Sequence, residues 1–196
     1  MTRRRRGGRG IPSLALRARC GAPAAHRRPA PARLARIDHL SLQPGPPEID
    51  TDRLLLIVTG AHLRAESADR PLAYHLRDRI FEELCRRCGV DEGDHPFTVM
   101  VCSDVWYLNN DDLRDCPTIS IGGPGVNALG AFLADKLPSA FVVEDVLMVQ
   151  IDLDYDDVIA SCWGVDHTTT VAAVDAFCEK YLVQFIDEAT RRIETA

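Results

Sequence analysis

Four short stretches of this 196-residue chain place chemically capable side chains beside a glycine or at the end of an apolar run. The first is Gly122-Gly123-Pro124-Gly125-Val126-Asn127. Its glycines allow a sharp turn and close approach of a ligand to the main chain. A helix starting after the turn would offer free N–H groups and partial positive charge, which suit an anion. Gly122, Gly123 and Asn127 are therefore candidate ligand contacts. Pro124 lacks an N–H, and no GxGxxG or phosphate-binding lysine follows, so this is not a standard nucleotide loop. A turn that only packs helix on strand accounts for the same residues.

The second stretch is Trp163-Gly164-Val165-Asp166-His167-Thr168. Asp166 or Thr168 suits the cap of a following helix. Asp166 is also a candidate ligand contact, and a neutral imidazole at His167 would be placed to act as a general base. The third is His62-Leu63-Arg64-Ala65-Glu66, where His62 and Arg64 are ligand candidates and Arg64 could clamp a carboxylate or phosphate. The fourth is Ser103-Asp104-Val105-Trp106. Asp104 is the other candidate base, and Trp106 a candidate ligand contact. Each stretch also has a plain reading as a cap, a turn or a solvated loop.

Metal chemistry has weaker support. Asp152, Asp154, Asp156 and Asp157 alternate, but the loop glycine and closing Glu of a calcium-binding loop are missing. Cys85-Arg86-Arg87-Cys88 has CxxC spacing without a second pair or a His pair. No metal site is assigned and no cofactor is specified. No nucleophile elbow or HExxH motif is present.

The elements that must hold these groups are legible as apolar runs. Arg53-Leu54-Leu55-Leu56-Ile57-Val58-Thr59, ending in Gly60, suits a buried parallel strand. A polar loop is expected over 61–69. Asp69 then caps a helix with Pro71 in its first turn, and Gly89 ends it. Phe97–Cys102, Thr118–Ile121 and Val158–Trp163 read as further strands, and 141–143 with 147–151 as strands that could form a hairpin. Helices are expected over about 126–137 and 168–192. This order predicts an α/β fold: a three-layer, doubly wound, mostly parallel sheet with helices on both faces. In such sheets ligands collect outside the carboxyl ends of the strands, where all four stretches fall.

Charge divides the chain. Residues 1–36 hold eleven Arg and no Asp or Glu; residues 37–196 hold 12 basic and 29 acidic residues, a formal charge of −17. Residues 1–50 read as a disordered Arg/Pro/Ala-rich leader and linker, and 51–196 as a single domain. An organelle transit peptide or an upstream-assigned start would give the same leader composition. The acidic domain disfavours binding to nucleic acid. No stretch reaches the roughly 18 apolar residues of a membrane span. Seven Cys, an odd number, with Cys102 and Cys162 in apolar runs, fit a reduced cytoplasmic setting.

The segment Ile119-Ser120-Ile121-Gly122-Gly123-Pro124-Gly125-Val126-Asn127, with Trp163-Gly164-Val165-Asp166-His167-Thr168-Thr169-Thr170-Val171-Ala172-Ala173, resembles a pattern in S-layer-associated proteins of archaea. The resemblance covers about the last 80 residues. It implies an α/β unit with this turn-and-helix arrangement and carries over no surface-layer role.

Three readings follow. The domain binds a small polar or anionic ligand at its strand ends. Alternatively it is a hydrolase or transferase with Asp104 or His167 as base. Alternatively it is a structural or interaction protein, a homo-oligomer joined through Trp106 and Tyr107. Convergence of Arg64, Asp104, Gly123 and His167 on one cleft would favour the first two.

Overall fold

The structure is a computed structural model describing residues 50–88, 95–144 and 146–195. The expected leader, nearly all of the linker and the helix-ending Gly89 lie outside the described residues. Strand β1 (Leu54–Thr59) is buried along its whole length. Its side chains divide with period two, as a pleated strand requires. Leu55 and Ile57 enter one core, while Leu54, Leu56 and Val58 enter another. A strand that feeds two cores must lie between two layers of helices.

Those layers are present. Helix α1 (Leu63–Cys88) sends Leu72, Leu76, Ile80 and Leu84 into the first core. It is joined there by α4 (His167–Lys180) and α5 (Leu182–Thr195), through residues such as Phe177 and Phe185. The opposite core takes Tyr107 from α2 (Asp104–Leu108), and Leu129 and Leu133 from α3 (Ala128–Ala134).

Five more strands complete one sheet: β2 (Thr98–Ser103), β3 (Thr118–Ile121), β4 (Ser139–Val143), β5 (Leu147–Ile151) and β6 (Ile159–Gly164). The order is β2-β1-β3-β6-β5-β4. The pairings β2–β1, β1–β3 and β3–β6 are parallel; β5 runs antiparallel to both β6 and β4. The three-layer, mostly parallel α/β expectation is met, and the β4–β5 segment forms the hairpin. After β1 the chain moves outward to β2, then crosses back to β3 on the other side of β1. This order reversal opens a crevice beyond the carboxyl ends of β1 and β3, where ligands bind in sheets of this kind.

Two helix boundaries differ from the sequence reading. Helix α1 begins at Leu63, so Asp69 and Pro71 lie inside it rather than at its start. Pro71 has no N–H to give the carbonyl four residues back, that of Ser67. An Arg70–Glu66 ion pair supports the turns before it. The last helix is two helices, broken at Tyr181, whose hydroxyl donates to the Ala140 carbonyl of β4. No helix among the described residues is long and apolar enough to cross a membrane.

Candidate functional site

The loop after β1 and the glycine turn after β3 press together. A Cβ on Gly60 would lie 1.9 Å from the Val126 carbonyl oxygen, so this contact needs a glycine. Over the same region passes the start of α1. The turn after β6 and the start of α4 close the other side. Together they enclose a cleft of about 520 Å³, within the range of small-molecule sites. Arg64, Asp69, Gly123, Trp163, Asp166 and His167 are among its walls.

Of the residues chosen from sequence, Arg64, Gly123, Asp166 and His167 meet here. Arg64 is exposed and makes no ion pair among the described residues. Asp166 caps α4: its carboxylate accepts from the Thr169 N–H at 2.8 Å, and Thr169 Oγ1 accepts from the Asp166 N–H. The Thr169 backbone and hydroxyl bonds hold the Asp166 carboxyl below the usual carboxylate range. Trp163 is fixed by a hydrogen bond from its Nε1 to Gln150 Oε1, and its ring faces Gly123.

Asp104 is elsewhere engaged. It is 4 % exposed and its side chain is not in the cleft wall. Oδ1 accepts from the N–H groups of Ala61 and Val105, both at 2.8 Å, and Oδ2 from Ala128 N–H at 2.7 Å. One carboxylate thus ties the loop after β1 to the starts of α2 and α3. Asn127 is equally engaged. It is 1 % exposed; its Oδ1 accepts from Leu129 and Gly130, and its Nδ2 donates to Val58, Ser120 and Ile121. The first-turn N–H groups of α3, expected to face an anion, are therefore already bonded. Within the turn itself, the N–H groups of Gly123 and Gly125 make no hydrogen bond among the described residues.

The remaining candidates lie outside the wall. His62 sits at the start of α1, its Nδ1 accepting from Arg64 N–H. Trp106 is exposed on α2, but Tyr107, its expected partner in an apolar contact patch, is buried in the core. Gly122 lies just under the cleft with φ of 101°, a conformation that suits glycine.

What Gly122 supports is the residue that sequence reasoning missed. A Cβ there would stand 2.6 Å from Asp69 Oδ2, so the Asp69 carboxylate rests on this glycine. Asp69 is 6 % exposed and lines the cleft. Burial pushes its carboxyl up from the usual carboxylate range, with the charge of His167 opposing the rise. A signal for it was present: Ala65, Asp69, Leu72, Ala73 and Leu76 recur at helical spacing, setting a lone carboxylate on an apolar stripe.

No protein-family model matches the chain, and no curated protein matches it.

Proposed function

We propose that the domain binds a small polar or anionic ligand in the cleft between the starts of α1 and α4. The observation that carries this reading is convergence. Arg64, Gly123 and His167, spread over about 100 residues of sequence, share one cleft of ligand size at the strand-order reversal. Arg64 supplies a cation, and Trp163 with Val126 supplies apolar wall. Gly123 provides a test. A Cβ there would meet the Trp163 ring at 3.6 Å, an ordinary contact, so Gly123→Val is expected to fold, as circular dichroism can check, and to intrude on the cleft. A thermal-shift screen of metabolites should yield a compound that raises the melting temperature of the parent protein. The same compound should leave folded Gly123→Val unmoved. An equal rise in both proteins would reject this site.

One observation favours a second reading, a hydrolase or transferase. Asp69 is held above the usual carboxylate range beside His167, a pairing suited to proton transfer. Asp104 is a poor base by comparison, because three N–H groups occupy its oxygens. Product formed from a screening hit, lost in His167→Ala with binding retained, would support this reading.

A further inference from the structure

Two charged side chains are deeply buried among the described residues, Asp69 and Asp104. Their circumstances are opposite. Asp104 accepts three backbone N–H bonds. The carboxylate of Asp69 accepts none among the described residues, although it is 94 % buried and forms part of the cleft wall. His167, in the same wall, makes no hydrogen bond to it. A carboxylate this far buried, with no hydrogen-bond partner among the described residues, keeps its remaining contact with solvent at the cleft it lines, and such a group calls for an explanation.

We infer that Asp69 is the anchor of this cleft, and that the ligand brings it a protonated amine while presenting an acid group to Arg64. The ligand is then a small zwitterion of the amino-acid class. This rests on the ligand-binding reading above and narrows it. A cation compensates a desolvated carboxylate better than a neutral donor does. The local charge points the same way, since residues 37–196 carry a formal charge of −17, against −6 for the full chain, and oppose a net anion. A zwitterion is electrically neutral and still gives Arg64, which has no ion pair among the described residues, a carboxylate. The apolar stretch of wall at Ala65, Ala68, Val126 and Val165 is left to receive its side chain.

The test is a calorimetric titration of the full chain. The probes are L-amino acids, each matched with its 2-hydroxy acid and with the amine lacking the acid group. The inference expects at least one amino acid to bind about tenfold or more tighter than both of its matched analogues. Asp69→Asn, similar in size and able to rest on Gly122, should abolish the preference for the amine, with circular dichroism confirming the fold. Arg64→Gln should weaken the amino acid and spare the matched amine. A hydroxy acid that binds the parent protein as tightly as its amino acid, or an amine preference that survives Asp69→Asn, overturns the inference and leaves the ligand-binding reading standing. The same holds if no amino acid binds while another class of metabolite passes the Gly123→Val test. If no compound of any class binds, both fall.

Discussion

Asp104 is a strand-end carboxylate whose removal should be felt in stability rather than in chemistry. Asp104→Asn keeps one oxygen for the N–H groups of Ala61 and Val105, but turns an NH2 toward the N–H of Ala128. Two donors then face each other in a site that is 4 % exposed. Leaving one buried donor unpaired costs about 1–3 kcal/mol. Asp104→Ala strands all three donors, and about 3–6 kcal/mol is expected if their costs add incompletely. A domain of this size has roughly 5–15 kcal/mol in all, so the alanine variant should be marginal. At about 2–4 °C per kcal/mol, the asparagine variant should melt several degrees lower. Urea unfolding followed by circular dichroism gives both values. The ordering Ala below Asn below parent is the signature of an acceptor counted donor by donor. An asparagine variant within about 0.5 kcal/mol of the parent would refute the clamp. If it also abolished turnover of a substrate, the general-base assignment would be restored.

Two further predictions concern the Asp69 shelf. Gly122→Ala combines a left-handed backbone with a Cβ 2.6 Å from Asp69 Oδ2, and should lose about 1–3 kcal/mol. Gly125→Ala, with nothing within 4 Å, should stay within about 0.5 kcal/mol or gain slightly, and equal losses in urea would contradict the geometry. Asp69 should also mark the pH profile of stability. Its folded carboxyl lies above its unfolded value. Below the unfolded value both states hold the proton, so no difference arises. As pH rises from there to the folded value, the native state holds the proton longer and stability falls. Asp69→Asn removes that loss, and the ligand-free variant should be more stable than the parent above this window. Parallel stability curves from low to neutral pH would count against it.

Much of the fold was legible because buried strands announce themselves. The run Leu54–Val58 and the glycines closing β3 and β6 fixed the main parallel strands and their carboxyl ends. From those ends, the crevice rule put nine candidates on one rim, of which Arg64, Gly123, Asp166 and His167 line the cleft and His62, Asp104, Trp106, Gly122 and Asn127 do not. The start of α1 was not legible, since Pro71 after a polar stretch reads as a first turn with Asp69 as cap. The chain instead accepts a missing hydrogen bond inside a longer helix, and that choice hid Asp69. The break falls at Tyr181, whose hydroxyl reaches Ala140, 41 positions away, a contact that no local pattern encodes. Asp104 and Asn127 were visible as polar residues at strand ends. Whether such a residue faces a ligand or the main chain is decided by neighbouring N–H groups, and spacing alone does not reveal it.

Pro71 has a consequence for how firmly the cleft is held. Before it, α1 buries little besides Ala65 and Asp69; from Leu72 onward it is anchored in the core. The missing bond to Ser67 falls at the boundary between these parts. The first two turns are therefore expected to open as a separate unit, at a free energy below that of global unfolding, which native-state amide exchange would measure. A ligand gripping Arg64 and Asp69 would add its binding energy to that local equilibrium. Its affinity would then include the work of ordering this segment, and amide exchange in residues 63–70 would slow on binding while the rest of the helix stayed unchanged.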